Sequence, residues 1–555
     1  MKNPLSKAFT WPSVPSFLHI VLYVCCLWGG EYVLRDLWEP DEARYAYVSQ
    51  EMLDDGHLLV PHRHGEPYAH KPPLNFWINQ IFAQLNGGTV TPFTTRIPSL
   101  IGAVLSLYVT SRFAAVLFGG LSSWFAPLIL STGILFWKTN GMGQMDALLC
   151  GLEMMAVWLL YQAEAHPDAK ATRRRMLAFL CMGLAVLNKG PVGFLVPLGS
   201  WIVFGSLLRP QGRIKRLPLL WGSLIALTPV VLWIGGMIAF EHAPQSYIDE
   251  LLFKQNVGRV TGEMGKGHIN PPWYFLENFF IDFLPWLFLF PTALVALFRS
   301  GRDRKEIIAL LGWIGFVVLF FSLSASKRNL YILSIYPAVS ILTAAGWERL
   351  SRAPGWALKC SKLFFTGLLL SLGVAGLIMS VALLLVKPDI PLPPGVLIPS
   401  SLLVLGTGIL LVQQFKASPF NWLRIAGIGW ALSLISVEFF LYPALNPIKS
   451  PHSIRAASRE YLPEGQPLLL YKLMGEIQTF NAKARGKQVH DVDSLRETLQ
   501  NVESSLIVLR ERDWPELRDL PEFTHAPTQT YQMGGKTLRW VAYTTSKPGY
   551  RPGTQ

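Results

Sequence analysis

The stretch Leu37–Leu53, LWEPDEARYAYVSQEML, sets Glu39, Asp41, Glu42 and Arg44 directly after the apolar run Phe17–Leu34. If that run crosses a membrane, the charges lie at its surface. Pro40 is a favoured first helical residue, and Asp41 and Glu42 then fall in the first turn, where the helix dipole favours carboxylates. On its own the cluster would be an ordinary helix start. The rest of the chain makes it one part of a larger pattern.

The chain has 555 residues, of which 51% are hydrophobic and 15% charged, with a mean hydropathy of +0.33. Soluble domains carry about 25% charged residues, so the deficit indicates a membrane protein. Apolar stretches near the ~20 residues that span a bilayer predict a polytopic α-helical protein with about 13 transmembrane helices. The first is expected over 14–34 and the last over 420–442. No small-residue cleavage site follows the first, which therefore reads as a retained helix. All five cysteines fall in or beside apolar segments and show no metal-ligand spacing, so disulfides are not expected and the cysteines say nothing about chemistry.

Lys and Arg concentrate in alternate loops, for example at Arg173–Arg175, Arg213–Arg216 and Arg299–Lys305. By the positive-inside rule these loops and the N-terminus are inside. The net charge of +13 is then explained by topology and contact with anionic membrane lipids. No nucleic-acid motif is present. An odd number of spans puts everything after Tyr442 outside.

Two outer loops are long, 35–93 and 241–274, and both contain amphipathic pieces suited to a membrane interface. Residues 1–446 are thus expected to form the membrane domain. From 447 the composition changes. QPLLLYKL, SSLIVLRER and TLRWVAYTT read as strands between charged helical segments such as 490–501. Residues 447–555 are expected to be a small soluble α/β domain on the outer side.

The unusual residues share that side. Tyr68 and Lys71 lie in YAHKPPL, Asp146 opens the fourth helix, and Lys189 sits in the turn NKGP. Arg259 and His268 are in the second long loop, and Lys327, Arg328 and Tyr331 enter the tenth helix. Transporters keep ionisable residues near the bilayer midplane. Here they ring one rim, which suits a reaction on a lipid headgroup. Lys and Arg are natural phosphate ligands, and carboxylates suit a sugar or a developing positive charge. An enzyme acting on lipid-linked phosphate is the sharper reading, and a lipid-linked sugar flippase is its rival from another class. Simpler roles stand beside each residue: Lys189 as a helix cap, Lys327 and Arg328 as snorkelling side chains. His70 and His268 could share a divalent ion with a carboxylate, although they lack ligand spacing.

Six motifs carry a family resemblance: WEPDEARYA (38–46), HKPPLNFWIN (70–79), RIPSL (96–100), MDALL (145–149), LAVLNKGPVGFLVP (184–197) and SKRNLYILSIYPA (326–338). In this order they resemble the protein O-mannosyltransferase-like branch of the GT-C glycosyltransferases, and within it the 4-amino-4-deoxy-L-arabinose transferases that modify lipid A. His70 stands where many relatives have Glu, and Gln144 where Arg often precedes Met-Asp. The resemblance implies a polyprenyl-phosphate sugar donor, undecaprenyl phosphate carrying aminoarabinose, and a lipid A phosphate acceptor on the periplasmic leaflet of the bacterial inner membrane. It also implies resistance to polymyxin and other cationic peptides. Another sugar, or a protein acceptor, stays open as an alternative within the class. The family's acidic residue maps to Asp41, with Glu42 beside it, and its phosphate-binding Lys maps to Lys71. Arg259, Tyr331 and Lys189 match by position. A monomer is expected.

In such enzymes the first-loop Asp is usually cast as general base. A phosphate acceptor is already ionised at neutral pH and needs none. Asp41 is therefore expected to orient the acceptor and stabilise the oxocarbenium-like carbon, while Glu42 or Asp146 holds the sugar's ammonium. Lys71, Arg259 and Tyr331 would neutralise the departing phosphate.

Overall fold

The computed structural model describes residues 14–208, 219–255, 258, 269–352, 355–386, 392–393, 395–500 and 502–544. The first span is α1, Phe17–Leu34, capped by the Ser16 side chain on His19 N. The chain then forms α2, Asp41–Asp55, with Pro40 at the N-cap position and Gly56 as a left-handed C-cap. A short hairpin follows, β1 (His62–Arg63) and β2 (Glu66–Pro67), then α3, Leu74–Leu85. These pieces fill the long loop predicted over 35–93. Phe76, Trp77, Ile81 and Phe82 are carried on α3, one of the amphipathic pieces of that loop.

Next come α4 (Pro92–Phe118), α5 (Gly120–Ser131), α6 (Ile134–Gly141), α7 (Met145–Ala165), α8 (Ala171–Lys189), α9 (Val192–Leu208) and α10 (Leu219–Ala239). Helices α4 and α7 approach through Gly102 and Gly151. A Cβ at Gly102 would lie 2.1 Å from the Ala147 carbonyl oxygen, so no other residue fits there. This close approach packs the first turn of α7, which carries Asp146, against α4 at Gly102.

A helix or bent helix pair stands at each of the thirteen expected places, but not every one passes as a span by length and composition. Among the described residues, 8 helices are long and apolar enough to cross a membrane, or up to 10 if each bent pair is one span. The expected spans at 117–138 and 275–298 are such pairs: α5 and α6 bend by 68°, and Tyr274–Asp282 bends from Trp286–Ser300 by 105°. Pro285 cannot donate a helical hydrogen bond and starts a new element there. The segments Val192–Leu208 and Ile398–Gln413 are shorter apolar helices. Hydropathy alone cannot distinguish an unbroken span from two half-helices of the same composition.

After the last apolar helix, Pro419–Ser436, the chain leaves the helical bundle and forms a five-stranded sheet. Its strands are β3 (Leu468–Tyr471), β4 (Gly486–Val489), β5 (Ser504–Arg510), β6 (Thr528–Met533) and β7 (Lys536–Thr544), in the order β4-β3-β5-β7-β6. Strands β3, β4 and β5 are parallel, and β5-β7-β6 antiparallel. The three strands read from the sequence are β3, β5 and β7, and the helix expected over 490–501 is Val492–Gln500. Strands β4 and β6 were not apparent, because only one residue of β6 is buried and β4 is half polar.

The sheet docks on the loop after α1. Ile477, Met533 and Leu538 form one apolar cluster with Leu37, Ala43, Ala46, Ala83 and Val90. Polar contacts reinforce it: Gly486 N donates to the Tyr47 hydroxyl at 3.2 Å, and a His64 ring nitrogen meets the Met474 carbonyl at 2.8 Å.

Candidate active site

The N-terminus of α2 is held by a buried ion cluster. Glu42 accepts Arg35 through both carboxylate oxygens at 2.9 Å, and Arg96 Nε at 2.6 Å. The backbone N–H groups of Trp38 and Gly143 donate to the same carboxylate at 3.2 and 3.1 Å. Burial would raise this carboxyl, but the charges of Arg35 and Arg96 overcome it and bring it down to about 2. Arg96 also donates to the carbonyls of Glu31, Arg35 and Asp36, tying α4 to the end of α1. Glu42 is therefore saturated. The sequence expectation that it holds a substrate ammonium gives way to an anchoring role, because its oxygens already meet two arginines. Arg35 and Arg96 went unassigned in the sequence, although an arginine in the first turn of an apolar span needs a buried partner.

Asp41, one residue earlier, points elsewhere. Its Oδ2 accepts Arg328 Nη2 at 3.1 Å, and its Oδ1 is 3.6 Å from Arg44 Nη1. Burial pushes its carboxyl up, but the charge and hydrogen bond of Arg328, with the charges of Arg44 and Lys71, hold it below the ordinary range. The ionised Asp41 thus meets Arg328 through one oxygen and Arg44 through the other.

Asp146 pairs with Lys189, the last residue of α8, rather than facing the site alone. Gly190, with φ of 90°, makes the turn that follows, a conformation costly for any other residue. The Lys189 ammonium also lies 4.9 Å from the Tyr331 ring centroid. Lys71, Lys189 and Tyr331 line one cavity of about 530 Å³. Its remaining wall includes Leu149, Val192, Leu195, Phe320 and Phe321, so it joins two cations to an apolar channel.

Other expected residues are placed differently. Lys327 is buried and donates to the carbonyls of Asn270 and Ser324 at 2.9 and 2.6 Å, pinning the turn before Arg328. That is a structural use of its charge. Tyr68 is buried beneath Arg63, whose guanidinium lies 5.4 Å from the ring centroid, and it also contacts the His70 ring at 4.9 Å. His70 Nε2 is 3.7 Å from Glu250. Burial and Arg63 push its imidazole down to about 4, against the pull of Glu250, so it is neutral at pH 7. Arg259 and His268 lie outside the described residues. No group of three His, Cys, Asp or Glu side chains suited to a metal ion occurs among the described residues.

One acidic residue comes from the C-terminal region, at the start of the helix Glu476–Ala482 that follows β3. Glu476 lies 3.4 Å from Arg44 Nε and 3.6 Å from Arg63 Nη1. It had no signature in the sequence, since it is more than 400 residues from its partners.

Over 95% of its length this chain superposes on ArnT from Cupriavidus metallidurans, crystallised with undecaprenyl phosphate, with a TM-score of 0.75 and 21% identity over 98% of that chain. The chain has the ArnT fold. Residues 70–234 match the family described as dolichyl-phosphate-mannose-protein mannosyltransferase. That segment carries His70, Lys71, Asp146 and Lys189. An undecaprenyl phosphate-alpha-4-amino-4-deoxy-L-arabinose arabinosyl transferase from Yersinia enterocolitica is 30% identical over 56% of this chain and 55% of its own length. Its counterpart in Pectobacterium atrosepticum is 30% identical over 61% of each. The alignments thus span little more than half the length of these relatives, whereas the ArnT fold extends through the C-terminal sheet.

Proposed function

We propose that this protein is a membrane glycosyltransferase that moves 4-amino-4-deoxy-L-arabinose from undecaprenyl phosphate to a lipid A phosphate. The observation that carries this reading is the cavity that joins Lys71 and Lys189 to an apolar channel, close to the Asp41–Arg328 pair. A polyprenyl phosphate has the matching form, an anionic head on an apolar tail. The named activity of the Yersinia and Pectobacterium relatives supports the same donor.

In the transfer, an acceptor phosphate oxygen bonds to the sugar's anomeric carbon as the bond from that carbon to the donor phosphate breaks. Undecaprenyl phosphate leaves with the electron pair. Lys71, Lys189 and the Tyr331 hydroxyl stabilise the charge that develops on it, and Arg259 adds to them in the second long loop. Asp41, fixed as a carboxylate, stabilises the positive charge at the sugar carbon. No proton need be removed from a phosphate that is already ionised. Asp146, held by Lys189, is available for the sugar's ammonium. Glu42, Arg35 and Arg96 position the loop that carries Asp41.

The site and the C-terminal sheet face the periplasm in this reading. With the native cysteines replaced, a cysteine at Lys487 should react with a membrane-impermeant thiol reagent in spheroplasts. The activity is tested by mass spectrometry of lipid A in a host lacking its own transferase. The wild-type gene should add aminoarabinose to lipid A, and Lys71→Ala should not. Unmodified lipid A in cells making the wild-type protein would overturn the assignment.

A further inference from the structure

The C-terminal sheet brings more than Glu476 to the α2 N-terminus. Arg510 ends β5 and pairs in register with Leu538 of β7, two residues from Lys536. Alternation along a strand puts Lys536, Leu538 and Arg510 on one face of the sheet. Leu538 is packed against Leu37 and Ala43, which bracket Glu39 and Asp41. That face therefore directs its two cations towards the start of α2, where Glu39 lies within electrostatic reach of Lys536, Glu476, Arg44 and Arg510.

These cations are not consumed by the fold. Neither the Arg510 guanidinium nor the Lys536 ammonium forms a hydrogen bond or ion pair among the described residues, and Arg510 Nε is buried. A buried guanidinium nitrogen without a partner is costly unless something else accepts from it. Four cations, Arg44, Arg63, Arg510 and Lys536, meet three carboxylates, Glu39, Glu476 and Asp41, and Asp41 is shared with Arg328. The surplus is positive, and it lies on the Arg44 side of Asp41 rather than the Arg328 side.

We propose that the C-terminal sheet completes an acceptor subsite in which Arg510 and Lys536, with Arg44 and Arg63, hold a phosphate monoester borne by a lipid. The inference rests on the transferase reading of Asp41 and adds to it a function for the C-terminal region. The donor phosphate is held by Lys71 and Lys189 in the apolar cavity. The acceptor phosphate arrives from the other flank of Asp41, so that the two phosphates meet the sugar carbon from different sides. Glu476 keeps Arg44 and Arg63 in place between the membrane helices and the sheet.

The test is direct binding by the full-length protein in nanodiscs, which needs no turnover. The probes are monophosphoryl lipid A, the same lipid with its phosphate removed, and undecaprenyl phosphate. Lys536→Ala and Arg510→Ala should each weaken monophosphoryl lipid A binding roughly tenfold, the scale of one charge-assisted contact. Both should leave the dephosphorylated lipid and undecaprenyl phosphate unchanged. Lys487→Ala, on the far edge strand β4, should change none of the three. Wild-type affinity for monophosphoryl lipid A in both variants would overturn the subsite. So would equal weakening for the lipid with and without phosphate, the result of a loosened sheet, or a parallel loss of undecaprenyl phosphate binding. Failure of sugar transfer by the wild type would instead refute the transferase reading, and the lipid A mass spectra report that separately.

Discussion

Glu42→Gln removes the charge at the centre of the α2 anchor while keeping its shape. The wild-type carboxyl is brought from 4.5 to about 2 in the folded protein. At about 1.4 kcal/mol per unit, this corresponds to roughly 3 kcal/mol of stability at neutral pH. Breaking a buried ion pair by neutralising one partner costs a similar ~3–5 kcal/mol. The lower end is expected here, because Arg35 keeps Glu31 at 2.9 Å and Arg96 keeps three carbonyls. The folded value lies below the unfolded one, so the contribution is complete above pH 4.5 and disappears as pH falls towards about 2. Chemical denaturation of the purified protein in detergent, followed by tryptophan fluorescence, should show the variant about 3 kcal/mol less stable at pH 7. The gap should close on acidification below pH 4.5. A variant within about 0.5 kcal/mol of wild type at pH 7, the range of ordinary surface substitutions, would refute the anchoring role.

Asp41→Asn should show the opposite pattern, with turnover lowered by orders of magnitude and unfolding little changed. Comparable stability losses in Asp41→Asn and Glu42→Gln would make both residues structural. Lys189→Met leaves Asp146 without its cation in a nearly buried position and should cost about 3 kcal/mol, most of which Lys189→Met combined with Asp146→Leu should restore in the same denaturation assay. His64 bridges Tyr47 and the Met474 carbonyl, and burial, added to by Arg63, pushes its imidazole down to about 4. The unfolded chain takes up this proton first, so stability should fall as pH drops from 6.5 towards 4. His64→Gln should flatten that slope in limited proteolysis of the junction between sheet and membrane helices.

Much of the architecture was legible in the sequence because it depends on local quantities. Apolar runs near bilayer length and the change in composition near 447 each act over a few tens of residues. The acidic first turns at Asp41 and at Asp146 follow from the helix dipole within single turns. The residues Lys71, Lys189 and Tyr331 stood out as polar groups in apolar surroundings, and they do line one cavity.

Tertiary structure alone decided how these charges are used. Glu42 and Asp41 are adjacent carboxylates with the same local context, yet one is saturated by Arg35 and Arg96 and the other is set between Arg328 and Arg44. Lys327 and Arg328 are adjacent cations, and one pins backbone carbonyls while the other reaches Asp41. Neighbours along a helix or turn point in different directions, so composition cannot assign them. The bends at 284–286 and 132–133 likewise depend on packing that hydropathy does not register. The arrival of Glu476, Arg510 and Lys536 beside α2 depends on docking a sheet hundreds of residues away. Pairing energies fall off within a few ångströms, and only the folded chain sets those distances.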